Sequence, residues 1–117
     1  MRSDKDNLII RLTFEFSLRV IAYTETLEQQ RKYNLANQLF RSGTSIGANV
    51  HEAQNAESKL DFIHKIKIAA KEADETRYWL DLCAAAPTYT TPELELFEYI
   101  DSIAKVLSKI ISSSKSR

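Results

Sequence analysis

Residues 41–53 read RSGTSIGANVHEA and hold both glycines of a 117-residue chain, Gly43 and Gly47. They stand four apart among residues that otherwise suit a helix. Each mid-helix glycine costs about 1 kcal/mol relative to alanine. A pair therefore needs a compensating interaction. Bare backbone at two points one turn apart lets a neighbouring helix approach closely, and Ser42, Thr44, Ser45 and Ala48 leave room around it. Gly43 and Gly47 are thus read as helix-packing positions, with the large residues Phe16 and Tyr23 of the preceding segment as expected fillers. The rival reading is a glycine-bounded loop that cradles phosphate. GTSIG follows no strand and carries no lysine placed like that of a P-loop, so helix packing is preferred.

Outward from this stretch the chain shows helical periodicity in four segments, about 7–29, 33–57, 59–86 and 92–112. In the first, Ile9, Leu12, Phe16, Val20, Tyr23 and Leu27 share one face. Ile10, Phe14, Leu18 and Ile21 form a second stripe roughly 150° away at about 100° per residue. A helix in a monomeric bundle needs one apolar stripe. The second one is the candidate oligomer face, since large apolar patches on a surface mark contacts. In the second segment Ala36, Leu39, Gly43, Ile46, Val50 and Ala53 make a seam flanked by Phe40 and Gly47. In the third, Ser58 is the expected N-cap with Asp61 three residues on, a capping box, and Ile63, Ile66, Ala70, Ala73, Leu80 and Ala84 supply the core face. Thr91 and Pro92 read as cap and first residue of the fourth helix. Its stripe is Leu96, Ile100, Ile103, Leu107 and Ile110. Acidic residues early and lysines late suit its dipole, and the tail SSSKSR is expected to fray. Matched lengths and short loops predict one all-α domain over residues 1–117, an antiparallel up-down-up-down four-helix bundle.

Composition agrees. Two glycines and two prolines are too few for a turn-rich β architecture. Sixteen basic residues face sixteen acidic ones, which excludes the strongly basic balance of a typical nucleic-acid binder. A lone cysteine, Cys83, fits a reducing compartment. The charged start MRSDKDN has no apolar h-region, and no run approaches the ~20 apolar residues of a membrane span. Cytoplasmic localisation without membrane attachment is the expectation.

Catalytic constellations are not found. His51-Glu52 begins like a zincin HExxH, but Asn55 stands where the second histidine is needed. Glu72 and Glu75 lack the Glu-x-x-His pattern of a di-iron bundle. Cys83 has no nearby histidine and reads as a small core residue. No metal, cofactor or catalytic residue is assigned, and the chain is read as a non-enzyme. Two polar surfaces remain. Gln38, Arg41, Ser45, Asn49 and Glu52 form a stripe on the second helix. It is either solvated or bonded to another helix or subunit, with Lys71, Glu72 and Glu75 as candidate partners on the third. His64, Lys67, Lys71 and Tyr78 share one face of the third helix and form a candidate nucleic-acid face, interrupted by Asp74 and Glu75.

Two strings carry a family likeness. R-S-G-x-S-I-x-A-N-x-x-E-A is met by Arg41, Ser42, Gly43, Ser45, Ile46, Ala48, Asn49, Glu52 and Ala53. K-E-A-x-E-T-x-Y-W-L is met by Lys71, Glu72, Ala73, Glu75, Thr76, Tyr78, Trp79 and Leu80. They resemble the bacterial four-helix-bundle family of proteins encoded in intervening sequences of the large-subunit ribosomal RNA gene. That family also takes in the accessory variability protein of diversity-generating retroelements. The resemblance implies an all-α bundle assembled as a homopentamer, without known catalytic activity. Its ribosomal label reflects gene location. For the retroelement relatives it implies partnership with nucleic acid and reverse transcriptase through a strongly basic surface, from which this chain departs with its net charge of zero. Two functions follow as expectations: a self-associating scaffold or interaction protein, and an RNA- or DNA-binding accessory factor partnering a reverse transcriptase or ribosomal RNA.

Overall fold

The computed structural model describes residues 4–115, and the side chains of residues 7–114. Four helices follow one another: α1 (Asp4–Gln29), α2 (Tyr33–Ala53), α3 (Lys59–Ala85) and α4 (Leu94–Lys115). Each packs on its two neighbours in the ring α1–α2–α3–α4. The bundle is 48 Å long and 21 by 18 Å across. Cross-helix contacts show that every neighbouring pair is antiparallel. Arg41 meets Glu72 while Glu52, further along α2, meets Lys65, earlier on α3. Gly43 faces Val20 while Gly47 faces Thr13 and Ser17.

Each helix buries a row whose spacing alternates between three and four residues, the pattern that keeps one seam facing a partner helix. The expected rows of α2 and α4 are buried throughout. Two rows differ from expectation. On α1 the buried residue at the second position is Thr13, not Leu12, which is half-buried. Its hydroxyl donates to the Ile9 carbonyl at 2.8 Å, so a polar side chain enters the core without an unmet hydrogen bond. On α3 the row is Ile66, Ala69, Ala73, Thr76, Leu80 and Cys83. Ile63 and Ala70 are half-buried and Ala84 is exposed, while Ala69, Thr76 and Cys83 complete the row with Ile66, Ala73 and Leu80.

The glycines sit where α1 and α2 come together. A Cβ on Gly43 would lie 3.0 Å from both γ-methyl groups of Val20. One on Gly47 would meet Ser17 Oγ, Thr13 Cβ and the Thr13 carbonyl oxygen, each at 3.4 Å. The fillers are therefore Val20, Thr13 and Ser17. Phe16 and Tyr23 are buried in the core instead, and Phe40 beside the seam is 46% exposed.

Helix ends follow local chemistry and shift several expected bounds; α1 begins at Asp4, before residue 7. α2 stops at Ala53, short of residue 57. The amides of Gln54, Asn55 and Ala56 bond three residues back, at 3.1, 3.0 and 3.1 Å, and the chain turns to place Ser58 in an extended conformation. Ser58 Oγ then accepts from the Asp61 amide at 3.0 Å, while the Asp61 carboxylate accepts from the Glu57 amide at 3.3 Å. This is the expected cap with its return bond shifted by one residue. α3 ends at Ala85 because Pro87 drives Ala86 into extended backbone. α4 starts at Leu94, so Thr91 and Pro92 lie before it, with Pro92 buried. The α4 helix also continues through Lys115, where fraying is expected, and Ser114 Oγ donates to the Ile110 carbonyl at 2.8 Å. Residues 116–117 of the tail, 1–3 of the leading segment and the Lys115 side chain lie outside the description. The α1–α2 turn bonds Lys32 N–H to the Leu27 carbonyl at 2.8 Å and Arg31 N–H to that of Glu28 at 2.9 Å. Arg31 occupies the left-handed position, at φ 63°, where glycine is usual.

The two glycines are expected to answer differently to alanine. At Gly47 the added methyl finds ordinary contact, and Gly47→Ala should be neutral or gain up to about 1 kcal/mol of helix propensity. At Gly43 the methyl meets a branched buried side chain, and Gly43→Ala should lose about 1–2 kcal/mol as overpacking outweighs propensity. Gly47→Leu should cost more than either, and Lys67→Ala nothing. Urea unfolding of the four variants tests the ranking; equal loss at both alanine variants defeats it.

Candidate functional site

The polar stripe of α2 is for the most part a bridge to α3. Arg41 pairs with Glu72 at 3.1 Å and with Glu75, and Trp79 Nε1 donates to the same Glu75 carboxylate at 3.3 Å. The Glu72 side chain is only 16% exposed. Glu52 accepts from Lys65 at 3.2 Å. Asn49 turns inward along its own helix and donates to the carbonyl and hydroxyl of Ser45 at 2.9 and 3.1 Å. Gln38 and Lys71 are exposed and join no part of this network. Beneath Arg41, the fully buried Ser42 and Thr76 hydroxyls lie 2.9 Å apart. The Thr76 hydroxyl also donates to the Glu72 carbonyl at 2.7 Å, so its single proton is committed there and Ser42 supplies the proton between them. The two family strings thus meet face to face across α2 and α3. Their chemistry is that of a structural staple.

Two further arginines, Arg19 and Arg77, the latter at an unspecified position of the second string, hold α4. Arg19 of α1 pairs with Glu95 at 2.8 Å and lies 4.5 Å from the ring centre of Tyr99. Arg77 of α3 pairs with Asp101 and lies 5.2 Å from the ring centre of Phe97. Each guanidinium therefore combines an ion pair with a ring face. At the end of the bundle Tyr23 donates to the Thr90 carbonyl at 2.6 Å, and Gln30 to the Thr90 hydroxyl at 2.7 Å, which ties the α3–α4 loop to α1. Burial pushes the Tyr23 phenol and the nearby Cys83 thiol up from their ordinary values, so both are neutral at physiological pH. Cys83 is a fully buried core residue without thiolate character. His51 and Glu52 are both exposed. Among the described residues no three His, Cys, Asp or Glu side chains are grouped to hold a metal ion, and no helix is long and apolar enough to cross a membrane.

The stripe of α1 opposite the core lies open. Phe14 is 64% exposed and Leu18 49%, with Ile10 and Ile21 half-buried. Phe40 of α2 extends the same surface. A hollow of about 260 Å³ between Ile10, Phe14, Gly47 and Ala48 gives it relief. His64, Lys67, Lys71 and Tyr78 are all exposed on α3.

Residues 5–112 match the family described as 23S rRNA-intervening sequence protein. The chain belongs to that family. It is also similar to a crystal structure at 1.70 Å of a protein from Bacteroides thetaiotaomicron, described as of unknown function and from the S23 ribosomal protein family. Identity is 40% and the TM-score 0.86, over 92% of this chain and 98% of that one. A search of curated proteins returns no match. The family and this neighbour establish no enzymatic activity.

The staple separates two kinds of polar contact. Removing the exposed ion pairs with Arg41→Ala should cost about 1 kcal/mol or less. Thr76→Val should cost about 1–3 kcal/mol, because it strands the Ser42 hydroxyl in the core. Equilibrium unfolding of both variants tests the order, and a larger loss from Arg41→Ala reverses the assignment.

Proposed function

We propose that the chain is a non-catalytic cytoplasmic scaffold whose copies associate through the outer face of α1, with five copies as the family resemblance implies. The observation that carries this reading is the apolar row Ile10, Phe14, Leu18 and Ile21, widened by Phe40. Its exposed members serve no purpose within one chain, and covering them removes apolar surface from water at about 25 cal/mol per Å². The resemblance adds a family without known catalysis. Arg41, Glu52, Glu72 and Glu75 of the polar stripe and its α3 partners are committed to holding helices together.

Sedimentation of the wild-type protein at micromolar concentration should give a species five times the 13.4 kDa chain mass. Phe14→Glu combined with Leu18→Glu should sediment as a monomer with unchanged helical circular dichroism. A monomeric wild type rejects the proposal.

A second reading is an RNA- or DNA-binding accessory factor. It draws on Lys67 and Lys71, exposed one turn apart and without an ion pair among the described residues, with His64 and Tyr78 on the same face. The zero net charge weighs against it. If it holds, affinity for an RNA hairpin falls with salt at a log–log slope of about 0.9 per phosphate neutralised, and Lys71→Ala lowers that slope by about 1. Fluorescence anisotropy that detects no binding at low salt removes this reading.

A further inference from the structure

Small residues act in opposite ways on the two sides of this bundle. Between α1 and α2 they draw backbones together. Between α3 and α4 they leave a trench of about 690 Å³. Ala70 and Ala73 of α3 and Ala104, Ser108 and Ser112 of α4 line it, with Ile100 and Ile111 at its base. Arg77 braces one end through Asp101 and Phe97. The lining of α4, residues 100–112, runs for roughly 18 Å at 1.5 Å per residue. That accommodates the contact row of one helix of three to four turns.

The opposite end is basic. Lys71 lines the trench and Lys67 precedes it by one turn. Lys105 and Lys109 stand directly after Ala104 and Ser108. All four are exposed, and none makes an ion pair or hydrogen bond among the described residues. Asp74 is the one carboxylate of the trench outside the Arg77 pair. Alanine and isoleucine in the trench, with Lys71 lining it and Lys67, Lys105 and Lys109 exposed on the same two helices outside the lining, match a helix that is apolar on one face and acidic at its flanks, the helix-in-groove mode of recognition.

We propose that the α3–α4 trench receives an acidic amphipathic helix of a partner protein. Its apolar row lies on Ala70, Ala104 and Ile111, and its carboxylates meet Lys67, Lys71, Lys105 and Lys109. The site lies across the bundle from the outer face of α1, so docking and self-association are separable. A nucleic-acid backbone would use the lysines but leave the apolar floor without a function.

The probe is a fluorescein-labelled synthetic helix of roughly 18 residues, about 27 Å long, with leucine and alanine on one face and glutamate beside it. Anisotropy should show saturable binding to the full-length protein. Ala104→Arg, at an exposed position that leaves the core intact, should weaken binding by at least about tenfold, or 1.4 kcal/mol. Lys71→Glu with Lys109→Glu should do the same, and a probe with lysine in place of glutamate should recover binding to that double variant. Absence of saturable binding overturns the proposal, as does equal binding to Ala104→Arg. It also falls if an RNA hairpin binds these lysines and the peptide does not, or if Ala104→Arg dissociates the wild-type assembly, which would make the trench a contact between copies.

Discussion

Backbone approach between α1 and α2 is the constraint on which the rest of this structure depends. Gly43 and Gly47 let Val20, Thr13 and Ser17 press against α2. That contact fixes the rotation of α1 about its axis. With Ile9, Phe16 and Leu27 turned to the core, Phe14 and Leu18 must turn outward. The apolar outer flank is thus a geometric result of how α1 is seated. The same rotation of α2 brings Ser42 against Thr76 and Arg41 over Glu72 and Glu75. One close approach thereby orders three of the four helices.

The fourth helix is held differently. Its apolar row completes the core, and its sides are gripped by Arg19 and Arg77 from the two flanking helices. Rings at 97 and 99 give each guanidinium a face to rest on. These attachments are exposed, so they define the position of α4 more than they stabilise it. Because α3 and α4 meet through side chains rather than bare backbone, the space beside their seam stays open.

Much of this architecture is legible in the sequence. Alternating three- and four-residue spacing marks α2 and α4 without ambiguity, since their buried rows are strongly apolar. The signal weakens where the buried residue is small or polar. Thr13 and Thr76 enter the core because their hydroxyls bond to carbonyls of their own helices, and no hydropathy pattern announces that. Thr13 does sit four residues after Ile9 and three before Phe16, which is the spacing that betrays it. The ends of α2 and α4 escape sequence reading because Gln54–Ala56 tighten into turns, and because Pro92 serves the loop rather than the helix. Arg41 meeting Glu72 is foreseeable from helical spacing on two antiparallel neighbours. Arg19 over Tyr99 is not, since it joins residues eighty apart through a ring face.

Arg31 occupies a backbone conformation that most chains assign to glycine, although both glycines of this chain are spent inside α2. The allocation separates two demands on the same residue type. In α2 the missing Cβ answers a shortage of space, most acute at Gly43, where a Cβ would crowd both Val20 methyl groups. At the turn the demand is torsional, and an exposed arginine meets it at modest strain. The turn therefore tolerates glycine, asparagine and long flexible residues, whereas Gly43, pressed against the Val20 methyl groups, does not accept a larger side chain without loss. Variation at position 31 in related chains would carry no message about what the protein binds.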